Sequence, residues 1–215
     1  MQLGQFELAR LNIEKALNID NQDLNANNIA GLLYGKIKEN TLAIHHFSAA
    51  LSISDDPSTL NNYANYLCDS GNKAQAIDLF LKAALNRNNP QREIAYTNAG
   101  LCSLRIPNIK NAEEYFLRAL EINSDNQVVL FQLAQIRYMH GLDDIALSYL
   151  NRYAEIASHT PRTLKLGVQI SRINNKDIIE KSYISILHTQ FPESDEYHWA
   201  INTSNLNTQS LQPAL

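Results

Sequence analysis

The chain has 215 residues, of which 45% are hydrophobic and 19% are charged, as is ordinary for a globular protein. Its formal net charge of −4 argues against a nucleic-acid partner, because a phosphate backbone selects for a surplus of lysine and arginine. No stretch approaches the roughly 18 consecutive apolar residues that a membrane-spanning helix needs.

An apolar residue recurs along the chain at spacings of 34, 33, 36, 34 and 33 residues. The six positions are Ala9, Ala43, Ala76, Ala112, Ala146 and Ile179. Four residues after each of them stands a large apolar side chain: Ile13, Phe47, Phe80, Phe116, Leu150 and Tyr183. Seven residues after the first mark the chain has Ala16, Ala50, Ala83, Ala119, Tyr153 and Ile186. These offsets share one face of a helix, so the pattern predicts the same helix six times.

A second set of small residues lies twelve positions upstream of these marks. Its members are Gly31, Ala64, Gly100, Ala134 and Gly167. With both sets in place, the sequence resembles the tetratricopeptide repeat, a 34-residue helix–turn–helix unit with small residues where paired helices touch. The resemblance implies an all-α fold, a right-handed superhelix or α-solenoid of about six repeats whose first repeat is truncated. We expect about eleven helices and a short C-terminal capping helix.

The register divides one tetratricopeptide-repeat domain, residues 1–203, at defined boundaries. It predicts a partial repeat at about 1–23, full repeats at 24–56, 57–92, 93–126, 127–159 and 160–193, a cap at 194–203 and a disordered tail at 204–215. Gly4, Gly71 and Gly141 are expected in turns, where positive φ is useful. Since the first repeat lacks its first helix, we expect the natural protein to continue upstream and the side chains of Phe6, Leu8 and Ile13 to be exposed.

Catalytic motifs are missing from the sequence. It contains no HExxH, CxxC or GxxxxGK[ST] pattern, and its six histidines are scattered except for the adjacent pair His45 and His46. Adjacent helical residues point about 100° apart, which makes that pair a poor metal chelate. We therefore expect no enzyme activity, no cofactor and no metal, because an enzyme would need an appended catalytic domain.

The first helices of tetratricopeptide repeats line a concave groove that binds segments of partner proteins. In this register, the likeliest groove residues are Asn28, Asn61, Asn62, Asn65, Thr97, Asn98, Leu101, Arg105, Phe131, Gln132, Gln135 and Tyr138. Asn62 and Asn98 share one repeat position, and their amides can both donate to and accept from a peptide main chain. The alternative is that these asparagines only solvate a surface.

Four stretches resemble one bacterial family more closely than the repeat requires: LNNYANYL (60–67), TNAGLCSLR (97–105), RTLKLGVQISR (162–172) and QFPESDEY (190–197). Together with the six-repeat length, they resemble the type IV pilus biogenesis/stability lipoproteins, the pilotin family called PilF or PilW. The resemblance implies a lipoprotein at the periplasmic face of the outer membrane, which assists assembly of the secretin ring of the pilus. A secretin subunit would be its protein partner, and the lipid anchor would precede Met1. The alternative function is a cytoplasmic tetratricopeptide adaptor that binds another protein.

The two cysteines, Cys68 and Cys102, occupy repeat positions 12 and 10 of successive first helices. Two positions correspond to about 200° of rotation, so the side chains point from opposite faces of similarly oriented helices. Neighbouring helices present such faces to each other, which brings the Cβ atoms near disulfide distance. We therefore predict a disulfide, which would agree with an oxidising compartment; the alternative is two buried free thiols.

Overall fold

A computed structural model describes the backbone of residues 2–106 and 109–209 and the side chains of residues 6–106 and 109–203. These residues form twelve α-helices and no β-strand, which confirms the all-α class and the predicted number of helices. The helices are α1 (Gln2–Ile19), α2 (Leu24–Lys36), α3 (Asn40–Ile53), α4 (Pro57–Asp69), α5 (Lys73–Leu85), α6 (Arg92–Ser103), α7 (Ile109–Ile122), α8 (Gln127–Met139), α9 (Asp143–Ile156), α10 (Pro161–Ile173), α11 (Asp177–Gln190) and α12 (Asp195–Gln209). No helix within the described residues is long and apolar enough to cross a membrane. The chain divides into two compact units, Met1–Asn123 and Ser124–Leu215.

Helices α2 to α11 form five successive helix–turn–helix pairs. Most first helices begin at a side-chain cap: the Asp56 carboxylate accepts from the Thr59 amide at 2.7 Å, and Pro57 opens the helix. The turns of two pairs contain Gly71 and Gly141, with φ of +95° and +70°, as expected. The expectation for Gly4 is wrong, because this residue lies inside α1. Helix α1 begins before it, at Gln2, so no turn is needed there.

Each pair closes over an aromatic or large aliphatic side chain. Phe47, Phe80, Phe116 and Leu150 are all fully buried. A Cβ atom at Gly100 would lie only 2.5 Å from Cε1 of Phe116, and one at Gly31 only 2.7 Å from the Phe47 ring. Glycine at these two positions is therefore required by this close approach.

The core of the first unit joins neighbouring repeats. One cluster contains Phe47 of α3, Tyr63 of α4, Phe80 of α5 and Ala99 of α6, which belong to three successive pairs. The rings of Phe47 and Tyr63 stack with centroids 5.0 Å apart. Each pair is consequently stabilised by its neighbours, as repeat architectures generally are.

Helix α1 packs against the first complete pair. Ile13 is buried with Leu33, Tyr34 and Ala43, so the expectation that it would be exposed is wrong. Helix α2 covers it through Leu33 and Tyr34 and so takes the place of the missing first helix. Phe6 is partly buried against the same cluster, whereas Leu8, on another side of α1, is 61% exposed, as expected.

Helix α12 closes the second unit by packing on α10 and α11. The guanidinium of Arg172 in α10 donates from Nε to Glu180 Oε1 at 2.6 Å, from Nη2 to the Ala200 carbonyl at 2.6 Å, and from Nη1 to the Thr203 hydroxyl. Arg172 also lies over the Trp199 ring, with Cζ 5.2 Å from the centroid. These contacts attach the capping helix to the last repeat.

The capping helix continues to Gln209, although the cap was expected to end at residue 203. Residues 204–209 contain neither proline nor glycine, so nothing in them stops a helix once it has begun. Residues 204–209, which were expected to belong to a disordered tail at 204–215, are therefore part of α12. The last part of the expected tail, residues 210–215, lies outside the described residues.

Cys68 of α4 and Cys102 of α6 form a disulfide, with their Cα atoms 6.0 Å apart. Both residues are buried within the core of the first unit. The bridge therefore joins the first helices of two successive pairs.

The buried phenylalanine of the second complete pair provides a test of the repeat register. We expect Phe80→Ala to lower the free energy of unfolding by about 3–5 kcal/mol, because a full aromatic side chain is lost from a closed core. The control is Leu85→Ala in the same helix, since Leu85 is 67% exposed and its truncation is expected to cost less than about 1 kcal/mol. Urea denaturation measures both, and equal midpoints for the two variants would show that the register is wrong.

The disulfide can be tested by thiol titration. Oxidised, denatured protein should contain no reactive sulfhydryl, and reduction should lower the melting temperature. Closing a loop between residues 34 apart contributes on the order of 3–4 kcal/mol. The melting temperature of a Cys68→Ser/Cys102→Ser variant should not respond to reductant. Two reactive thiols in protein purified from an oxidising compartment would contradict the bridge.

Candidate protein-binding surfaces

The first helices of the first unit are joined by side-chain amides. Asn62 Nδ2 donates to Asn28 Oδ1 at 3.2 Å, and Asn98 Nδ2 donates to Asn61 Oδ1 at 3.0 Å. The first bond joins α4 to α2 and the second joins α6 to α4. Because an amide has two donor hydrogens and an oxygen with two lone pairs, each of these side chains keeps capacity for a further partner.

The predicted groove residues of this unit differ in exposure. Asn28 and Thr97 are buried, whereas Asn65 and Arg105 are exposed. The others, Asn61, Asn62, Asn98 and Leu101, are half-buried. Asn28 thus holds the Asn62 amide from a buried position. Thr97 donates its hydroxyl hydrogen to Glu93 Oε1 at 3.3 Å.

Arg105 is already engaged within the unit. Its Nη1 donates to Asp69 Oδ1 at 2.6 Å, and its carbonyl accepts from Lys73 Nζ at 2.8 Å. An ion pair exposed to this extent contributes at most about 1 kcal/mol, so a ligand carboxylate could compete with Asp69.

A cavity of about 490 Å³ lies between α2 and α4. It brings together Asn62 and Asn65 from the predicted set with Leu32, Lys36 and Tyr66, which that set omitted. Leu32 and Lys36 occupy the same repeat positions as Asn65 and Asp69, so the register could have found them.

The Tyr66 ring reaches this cavity because residue 35 is a glycine. A Cβ atom at Gly35 would lie 2.9 Å from Tyr66 Cδ2, and the Tyr66 hydroxyl donates to Asn40 Oδ1 at 3.0 Å. Gly35 is the one glycine that fits neither the helix-contact nor the turn position of the repeat. That exception was the available sequence signal.

The second unit has its own cleft, of about 650 Å³, between α8 and α10. Phe131 and Gln132 from the predicted set line it together with Arg162 and Glu196. A smaller cavity of about 230 Å³ continues from it and is lined by Gln135, Lys165 and Gln169 among others. The two cavities share Phe131, Arg162 and Glu196, so they form one surface, which we call the α8–α10 cleft.

Two ring side chains of the second unit, Tyr138 and His159, add no charge to this cleft. Tyr138, the last predicted groove residue, packs against the core of the unit, and burial followed by the Asp143 charge raises its pKa. His159 lies beside Tyr153 and Tyr183, with Nδ1 3.1 Å from Thr163 Oγ1. Burial lowers the pKa of His159 below its ordinary value of 6.5, so its ring is neutral at pH 7.

Arg162, Lys165 and Glu196 were missing from the sequence-based set. Lys165 occupies the same repeat position as Asn62 and Asn98, so extending the register to the last repeat would have found it. Glu196 belongs to the capping helix, which is not a repeat unit, and no periodicity could place it at the cleft.

No group of three or more histidine, cysteine, aspartate or glutamate side chains that could hold a metal ion occurs among the described residues. The candidate surfaces are made of amides, apolar side chains and a few charges. Such surfaces are suited to contact with another chain.

Comparison with known proteins agrees with these features. The tetratricopeptide-repeat family profile matches residues 94–126. The type IV pilus assembly protein PilF of Pseudomonas aeruginosa is 28% identical over 198 residues, which cover 92% of this chain and 79% of the relative.

Two solved structures are similar across nearly the whole chain. The structure of Pseudomonas aeruginosa PilF has a TM-score of 0.79 at 26% identity and covers 94% of this chain and 91% of its own. The crystal structure of PilW, described as a widely conserved type IV pilus biogenesis factor, has a TM-score of 0.76 at 27% identity and covers 94% and 93%. The chain thus has a tetratricopeptide-repeat fold, and over more than nine-tenths of its length it is similar in sequence and in fold to the type IV pilus biogenesis proteins PilF and PilW.

Proposed function

We propose that the chain is a noncatalytic protein-interaction scaffold, a pilotin that assists outer-membrane assembly of the type IV pilus secretin. The observation that carries this proposal is the joint similarity of sequence and fold to PilF and PilW over 92% and 94% of the chain. The surfaces described above support it, because they combine amides that suit a peptide main chain with apolar side chains.

The disulfide supports a location at the periplasmic face of the outer membrane. Structural disulfides persist in oxidising compartments and are rare in the cytosol. A lipid anchor upstream of Met1 would hold the protein at that membrane. Anchoring would raise the effective concentration of the scaffold and the secretin subunit for each other.

The binding residues that we propose in the first unit are the half-buried and exposed amides of α4 and α6. Asn62 and Asn98 each use one donor hydrogen on a neighbouring helix and can offer the other to a ligand main chain. Asn65 is exposed beside Asn62 at the cavity between α2 and α4.

Gene deletion tests the function. Cells without the gene should lose surface pili and secretin multimers, while secretin monomer is still made, because the scaffold acts in assembly and not in synthesis. Immunoblots of unheated and heated membrane fractions separate multimer from monomer, and electron microscopy counts pili. Normal multimers and normal piliation in the deletion strain would contradict the pilotin function.

Complementation of the same strain tests the amides. Asn62→Ala with Asn98→Ala should restore secretin multimers poorly, and its melting temperature should stay within a few degrees because partly exposed polar changes cost little stability. The matched control is Asn88→Ala with Asn151→Ala, two exposed asparagines away from both surfaces. Full complementation by the folded Asn62/Asn98 variant would exclude these residues and leave the pilotin function intact.

A further inference from the structure

We propose that the α8–α10 cleft binds an extended acidic segment of a partner protein in which a large apolar side chain adjoins the acidic residue. This inference rests on the proposed function as a protein-interaction scaffold and specifies the chemistry of the segment that the second unit takes.

The first observation is the distribution of charge in the second unit. Helices α8 and α10 carry four cations and no aspartate or glutamate, although the whole chain has 22 acidic residues and a net charge of −4. The four cations are Arg137, Arg162, Lys165 and Arg172. The acidic residues of the adjoining repeat helices lie on α9 and α11 instead. The two helices that form the cleft thus have the opposite charge from the rest of the chain, and complementary charge favours an acidic ligand.

The second observation is that two of these four cations remain available to a ligand. Arg172 is bound to Glu180 and to the capping helix, and Arg137 does not line the cleft. Arg162 and Lys165 do line it, and neither has an ion-pair partner among the described residues.

Both available cations are held over aromatic rings. Arg162 Cζ lies 5.6 Å from the centroid of Phe131, and Lys165 Nζ lies 5.0 Å from that of Trp199. A cation–π contact attracts the charge but consumes no N–H donor. The donors therefore remain free for a carboxylate, and the planar guanidinium of Arg162 can bind one through two parallel hydrogen bonds.

The remaining lining explains why the ligand is an extended segment and not an isolated anion. Gln132, Gln135 and Gln169 place amides along the same cleft, where they can pair with a peptide main chain. Val128 is 42% exposed at one end, and it lines the cleft with Phe131 and Pro161. An apolar side chain of the ligand would bury this surface, and about 650 Å³ is ample for one.

Glu196 supplies the only carboxylate among the described residues that line the cleft. It comes from α12 and has no ion-pair partner within the described part of the chain. Its charge repels an acidic ligand, so it opposes the attraction by Arg162 and Lys165. Removing this charge should strengthen binding, whereas removing the two cations should weaken it.

The test uses the purified protein and a short synthetic peptide labelled with fluorescein, in which Leu-Asp-Glu is flanked by glycine and serine. One comparison peptide carries Leu-Asn-Gln, which removes the charge, and another carries Ser-Asp-Glu, which removes the apolar side chain. Fluorescence anisotropy at low ionic strength measures the affinity of each, and amide chemical shifts identify the helices that the peptide contacts.

We expect the acidic apolar peptide to bind at least about fivefold more tightly than either comparison peptide, with shifts in α8 and α10. Two partly exposed charge contacts account for a preference of this size. Arg162→Gln with Lys165→Gln should remove the preference for acid over amide. Glu196→Gln should strengthen binding of the acidic peptide about two- to threefold.

The matched control is Arg87→Gln with Lys181→Gln, which removes one arginine and one lysine from exposed positions outside the cleft. It should keep the preference and so exclude an effect of overall charge. Equal affinity for the three peptides, an unchanged preference in the Arg162/Lys165 variant, or no saturable binding of any peptide would overturn the inference.

The same variants separate this inference from the pilotin proposal. If the deletion strain loses secretin multimers but the cleft shows no preference for acid, the pilotin function stands and the cleft assignment fails. If the cleft discriminates as expected but the deletion strain keeps its multimers, the acidic segment belongs to a different partner.

Discussion

This structure depends on one contact within each helix pair. A large side chain of the second helix packs directly on a glycine or alanine of the first helix. Phe116 on Gly100 and Tyr183 on Gly167 are the closest cases, since a Cβ atom at either glycine would come within 2.5 Å of the ring. The contact fixes the separation of the paired helices. It also determines which faces of the first helices remain for the next pair and for solvent.

The two units use the remaining face of their first helices differently. In the first unit, amide pairs and the disulfide join neighbouring first helices, so part of the polar surface is used within the protein. In the second unit, the corresponding side chains are glutamines, cations and aromatic rings. Arg162 and Lys165 lie over rings and form no ion pair with the Glu196 carboxylate that lines the same cleft. One repeat pattern therefore supports two surfaces of different chemistry, because the pattern constrains only the buried positions.

This division explains how far the sequence could be interpreted alone. The helix faces, the fold and the turns at Gly71 and Gly141 follow from local spacing, because each repeat imposes the same packing requirement. The burial of Ile13 was missed because it depends on which side of α1 meets α2. The exposures of the groove residues could be estimated only roughly, since Asn28 and Asn62 share a repeat face but differ in depth. Glu196 and the contacts of Arg172 with α12 could not be predicted, because a single capping helix has no periodic neighbour for comparison.

The bridge between Cys68 and Cys102 also affects how the protein would respond to cleavage of its backbone. The two cysteines enclose the connection between α5 and α6, residues 86–91, where Arg87, Asn88, Pro90 and Gln91 are exposed. A protease that cut this connection would produce two fragments that stay covalently joined through α4 and α6. The nicked protein would keep its paired helices in place. In denaturing electrophoresis it would migrate as a single chain until the disulfide was reduced.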